Sequence, residues 1–229
     1  MTISQDQIDD LYAFTRRHFI EYYDLQTELV DHLANDIETV WIEQPNLSYI
    51  EARDSAFKKF GVFGFMEVAE ERQKAMGKRY MAFLWDEFKT WFSLPKLSIS
   101  ITIFIICYIA FSSSFSSIFL IMAYGGVAFW STYKGIQLNK EFRRRKEKSN
   151  KKWMLEEMIY KRAGGAGCLL ISQLPTWYNI WQDYSSSFWL ILGASLFTSL
   201  FAIYMYVSLE LLPNKAEQLL NDTYPEFCL

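Results

Sequence analysis

Cysteine, histidine and proline are all scarce in this chain, and each scarcity closes off a class of chemistry. There are 3 cysteines in 229 residues, at positions 107, 168 and 228. An odd, scattered set without CxxC spacing excludes a disulfide framework and a cysteine-ligated zinc site. The 2 histidines, His18 and His32, have no nearby Ser or Cys with a third member to complete a nucleophilic set, and no GxSxG elbow occurs. The GGAG at 164–167 lacks the Lys-Ser/Thr of a phosphate loop. No enzyme, cofactor or metal is therefore expected. A signal peptide is not expected either, because Asp6, Asp9, Asp10, Arg16 and Arg17 interrupt the first 20 residues.

Charge is abundant but unevenly placed. Residues 1–94 carry 10 Lys/Arg against 17 Asp/Glu, a net of −7, whereas 95–229 carry 13 against 9, a net of +4; together these give the overall −3. The basic excess of the second part clusters at 140–162, leaving long stretches almost without charge. Such segregation predicts a polar domain followed by a membrane domain.

Four segments are candidate spans: Lys96–Phe115, Ser117–Tyr133, Gly164–Asp183 and Ser187–Leu212. A helix needs roughly 20 apolar residues to cross about 30 Å of hydrocarbon. The third is the weakest, being interrupted by Gln173, Pro175, Asn179 and Gln182, whose polar groups are expected to face a bundle interior. Glycines at 125, 126, 164, 165, 167 and 193 are expected to allow close helix approach. The connection at 138–163 holds 10 Lys/Arg and four Asp/Glu, while SSSFSS (112–117) and QDYSSS (182–187) hold one charge between them. The basic-loop rule then places 138–163 and both termini in the cytoplasm and both serine-rich turns outside. The shared tetrapeptide SSSF, at 112–115 and 185–188, is either the trace of a duplicated hairpin or simply an easily translocated turn.

The run EFRRRKEKSNKK (141–152) contributes Arg143, Arg144, Arg145, Lys146, Lys148, Lys151 and Lys152. Its position between two apolar regions favours a topology-fixing loop at anionic lipid headgroups over direct contact with nucleic acid. An electrostatic contact with the acidic N-terminal domain is a further option.

Residues 1–76 predict a compact helical domain. Ser4 with Gln7 and Ser48 with Glu51 fit capping boxes. The first helix is expected to bury Ile8, Leu11, Tyr12 and Phe19. A second, N-capped by Asp24, is expected to bury Leu25, Leu29, Leu33, Ile37, Val40 and Trp41. A third turns Ala52, Ala56, Phe57 and Phe60 inward and stops at Gly61. Residues 77–95, rich in aromatics, predict an amphipathic interfacial connector ending at Pro95, and 213–229 a cytoplasmic tail.

YDLQTELVDHLANDIETVW followed by PNLSYIEARDSAFKKFG resembles the HAAS modules of bacterial membrane proteins and the permease-prefix segments ahead of some transporter subunits. Glu28, Leu29, Asp31, His32 and Ile37 on one helix, and Ala52, Ala56, Phe60 and Gly61 on the next, carry the resemblance, over about residues 25–65. It implies a cytoplasmic helical domain joined to several spans, often associated with PadR-type transcription regulators. Two polar sets stand out. Glu28, Asp31 and His32 are candidates for partner binding, with a solvated face as the alternative, and Gln173, Pro175 and Asn179 for an intramembrane polar site.

The expected architecture is all-α: a cytoplasmic domain (1–76), a connector (77–95) and a four-helix transmembrane bundle (96–212) in the bacterial inner membrane. The expected function is non-enzymatic regulation or sensing, with an accessory subunit of a transporter or secretion assembly as the alternative. Either reading allows an oligomer.

Overall fold

The computed structural model describes residues 2–163 and 165–224, without the side chains of 166 and 168–171. Every regular element among the described residues is helical, as the sequence predicts. In order these are α1 (Gln5–Arg17), α2 (Tyr23–Glu43), α3 (Tyr49–Lys58), α4 (Met66–Lys89), α5 (Lys96–Ser112), α6 (Ser116–Ser149), α7 (Met154–Arg162), α8 (Gly165–Tyr184), α9 (Phe188–Tyr206), α10 (Leu212–Asn214) and α11 (Ala216–Thr223). A π-helical turn, Val207–Leu211, joins α9 to α10. Two compact units result, one of residues 1–78 with 146–154 and one of 79–145 with the chain from 155 onward.

In the first unit, both capping boxes form. The Ser4 amide donates to Gln7 Oε1 at 2.9 Å, and the Ser48 amide donates to Glu51 Oε2 at 3.0 Å. Each satisfies amides that the first helical turn leaves unpaired. The α2 stripe is buried as its spacing dictates, from Leu25 through Leu29, Leu33 and Ile37 to Val40 and Trp41. Full burial of each of these aliphatic chains stabilises by about 1.5–3 kcal/mol. Ala52 and Ala56 of α3 are buried with it. The turn after α3 uses Gly61 at φ 74° and Gly64 at φ 55°, a backbone region that glycine enters without steric cost.

Two expectations here are corrected. Phe19 is 91% exposed and lies beyond α1 at φ 65°, while Phe14 takes the buried place. Ending α1 at Arg17 removes Phe19 from the helical stripe. Asp24 is not the N-cap of α2, which is Tyr22 and makes no side-chain cap bond. Instead Asp24 is buried, and its Oδ1 accepts from the Met154 amide at 3.4 Å.

In the second unit α5 packs along α9, and α8 also meets α9. Cys107, Phe111, Leu120, Tyr124 and Trp181 form one apolar cluster. The two serine-rich turns lie at one end, because Trp181 Nε1 donates to Ser116 Oγ and Gln182 Nε2 to Ser117 Oγ, each at 3.2 Å. Ser131, Ser195 and Ser199 are buried, whereas Ile105, Ile106, Ile109, Ile118 and Met122 are exposed.

Among the described residues one helix, running over Phe188–Asn214, is long and apolar enough to cross a membrane. The other expected spans qualify less well. α5 has 17 residues, about 26 Å of helix at 1.5 Å per residue. It forms a second candidate only together with the helical stretch Met66–Phe92, from which it is bent by 83°.

The expected loop at 138–163 is corrected too. α6 continues through it to Ser149, and only 150–153 separate it from α7. Residues 138–149 contain no Gly or Pro and are mostly the helix formers Lys, Arg and Glu, so nothing in that stretch stops the helix. Asn150, at φ 51°, supplies the left-handed residue that ends it. The connector is likewise not a separate helix, since α4 runs unbroken from Met66 to Lys89.

Candidate functional site

Three groups of side chains were predicted to matter, and the structure treats them differently. On α2, Asp31 and His32 are exposed, opposite a stripe that includes the fully buried Leu29 and Leu33. Glu28 is half-buried and faces Arg72 of α4 at 3.5 Å. That separation is long, and Glu28 Oε2 and Arg72 Nε are both buried without a hydrogen bond. Among the described residues no ion pair joins Glu28 to His32, and the charged neighbour of Glu28 is Arg72. Asp31 and His32 remain available on one face and Glu28 beside them.

His18 lies in an aromatic cluster, 4.3 Å from the Phe14 ring and 4.5 Å from that of Phe57, with Nδ1 2.9 Å from the Phe14 carbonyl. A packed imidazole in this setting serves the core. Asp10, which the sequence did not single out, joins α1 to α3. It accepts from the Tyr49 hydroxyl at 2.9 Å and from Arg53 at 3.1 Å. Burial, reinforced by the Asp10 hydrogen bond, pushes the Tyr49 phenol well above its ordinary range. The same hydroxyl also lies 3.1 Å from the Gln7 carbonyl, a second acceptor on α1.

The seven basic residues of 143–152 divide by what they touch. Arg143, Arg144, Lys146 and Lys148 are exposed. Arg145 donates through Nε to Glu156 at 2.9 Å and through both Nη atoms to Glu217 at 3.1 Å. Glu156 is 3% exposed. Burial raises its carboxyl above the usual carboxylate range, and Arg145 only partly offsets this. Lys152 pairs with Glu21 at 2.7 Å and lies over the Tyr22 ring, while Lys151 lies 4.3 Å from the centre of the Tyr23 ring. The run is thus three things: an exposed helical face, one arginine held by two carboxylates, and two lysines seated on the tyrosines at the start of α2. Sequence distance hid this, because Glu21 and Lys152 are 131 residues apart.

The polar set of α8 does not face inward. Gln173, Pro175 and Asn179 are exposed, with Pro175 accommodated inside the helix. The inward stripe is Leu174, Tyr178 and Trp181, and Trp181 is 2% exposed. Burying that large ring at i, i+4, i+7 spacing turns the three polar positions outward. A neighbouring cavity of about 270 Å³ is lined by Leu120, Tyr124, Trp177, Trp181, Gly193 and Phe197 among others, and none of the three polar residues reaches it.

A fourth constellation escaped the sequence reading. Lys134 of α6 pairs with Glu210 at 2.6 Å, both half-buried. Glu210 lies within the π-helical turn Val207–Leu211, a distortion often found at functional positions. The only sequence signal was one charge at the end of each of two apolar segments. Searches against family models, curated proteins and solved structures give no match to this chain.

Proposed function

We propose that this chain is a non-enzymatic, multi-span membrane protein of regulatory or sensing type, whose first unit contacts a protein partner through Glu28, Asp31 and His32. One observation carries the membrane reading: the packing of the second unit is inverted relative to a water-soluble core. Small hydroxyl residues, Ser131 and Ser195, are fully buried, while Ile106 and Ile109 are 58% and 63% exposed. Exposed aliphatics in this density are unfavourable in water but cost nothing in hydrocarbon, where small residues allow helices to approach.

The reading takes α5, α6, α8 and α9 as four spans: the exposed aliphatics support α5 and α6, and length and hydropathy support α9. Both serine-rich turns belong at one end, and the charged run 143–152 marks the cytoplasmic side. The termini and the first unit then lie in the cytoplasm. The resemblance to HAAS modules supports a partner-binding role for α2, with a PadR-type regulator as one kind of partner, and the exposure of Asp31 and His32 agrees with it.

Purification of the full chain in mild detergent with mass spectrometry tests this. A cytoplasmic partner captured by the native chain and lost with His32→Ala supports the regulatory reading. Fixed stoichiometry with other membrane proteins replaces it with the accessory-subunit reading, and a lone homo-oligomer counts against that alternative. A reporter fused at Ser114 that reads cytoplasmic overturns the orientation.

A further inference from the structure

A cavity of about 550 Å³ in the first unit is lined by Arg16, Tyr23, Gln26, Lys146, Lys151 and Lys152, with Glu21 its one carboxylate. These residues come from the end of α1, the start of α2 and the segment that closes α6, three places that no sequence motif connects. We propose that this cavity binds a phosphorylated ligand carrying two or more negative charges, gripped by Arg16, Lys146 and Lys151.

The charge balance selects the ligand. Four cations face one carboxylate in the lining, a net of about +3. Arg16 lies in the last turn of α1 and Lys146 in the last turn of α6. Each helix C-terminus contributes roughly −0.5 charge, which removes about one unit. That dipole effect alone explains one lysine or arginine per helix end. An excess of about two positive charges remains, matching a phosphomonoester and attracting the more highly charged pyrophosphate as well.

The walls that carry the cations are braced. The Tyr23 amide donates to the Lys152 carbonyl at 2.8 Å, and the Trp153 ring packs edge-on against Tyr23 at 5.3 Å. Gln26 is buried and donates through Nε2 to the Ile20 carbonyl at 2.6 Å, bracing the α1–α2 turn. Lys152 is engaged by Glu21, and Lys151 keeps its charge over the Tyr23 ring. Among the described residues Arg16 and Lys146 make no ion pair. Arg offers a forked donor that fits phosphate oxygens bidentately, and Lys supplies point charge beside it. The volume is far larger than one inorganic ion needs and falls within the roughly 300–1,000 Å³ of small-molecule sites. The ligand is therefore a phosphorylated molecule or a phosphorylated lipid headgroup.

This inference does not rest on the membrane or partner reading, because all its residues belong to the first unit. Two titrations test it on the full chain. In phosphatidylcholine nanodiscs, inorganic pyrophosphate is titrated by calorimetry. In a second arm the discs carry phosphatidic acid, and protection of Lys146 from amine labelling is read. Saturable binding in either arm is expected, weakened at least tenfold by Arg16→Gln and by Lys151→Gln. Arg144→Gln and Lys148→Gln remove the same charge from the exposed face of α6 and should leave it unchanged. Binding of pyrophosphate identifies a free phosphorylated molecule, whereas protection confined to phosphatidic acid discs identifies a headgroup. Absence of saturable binding in both arms, or equal loss from Lys148→Gln, overturns the proposal.

Discussion

Close approach at single residues decides several outcomes. A Cβ built on Gly167 would lie 1.9 Å from Ser131 Oγ and 2.5 Å from Ser131 Cβ. No side-chain rotation relieves the second distance, so α6 and α8 must separate. Gly167→Ala should therefore lower stability in detergent by about 1–3 kcal/mol, the usual cost of overpacking. Ser131→Gly in the same chain should restore much of the loss, and chemical unfolding of the two variants measures both effects. The companion glycines behave otherwise. A Cβ at Gly125, Gly126, Gly165 or Gly193 meets open space, so the expected packing role fails there, and Gly164 lies outside the described residues. On α6 the buried positions are Leu120, Tyr124, Ala128, Ser131 and Phe142, which leaves 125 and 126 off the contact stripe. Spacing alone did not reveal which glycine sat under a neighbour.

Among the elements, α2 was the most legible. Its apolar residues recur at helical spacing over 21 residues, and period 3.6 dictates that they share one face. That face is buried, and Asp31 and His32 fall on the other. Leu33→Ala should cost about 2–5 kcal/mol, the range for emptying a packed site. His32→Ala, one residue away, should stay within about 0.5 kcal/mol. Thermal melts followed by circular dichroism separate the two; equal losses would mean that His32 is structural. The α6 helix was the least legible. Its 34 residues reach about 51 Å at 1.5 Å per residue, well beyond the roughly 30 Å of a hydrocarbon core. Charge signalled a loop, yet Lys, Arg and Glu are good helix formers, and only Asn150 stopped the helix. Hydropathy marks where a chain leaves the apolar phase, not where its helix ends.

For the whole molecule, the inverted packing of the second unit makes a direct prediction. Ile109 is 63% exposed, so Ile109→Asp changes little in packing. It should nonetheless weaken membrane insertion of α5, by less than the about 2.5–3.5 kcal/mol that a charge costs at mid-span, because Ile109 lies three residues from the end of the helix. An insertion assay with a reporter beyond Ser112 reads the effect, and unchanged insertion would count against a lipid-facing α5. What the sequence determined by itself was the all-α class, the capping boxes, the α2 stripe and the separation of an acidic region from an apolar one. Each depends on residues within a few turns of one another, where helical geometry leaves one answer. Only the tertiary structure decided that residues 146–154 join the first unit, that Arg145 is held by Glu156 and Glu217, and that the polar face of α8 turns outward. Those outcomes depend on partners far apart in the chain, chosen by burial of large rings such as Trp153 and Trp181 and by pairing of buried charge, neither of which local spacing records.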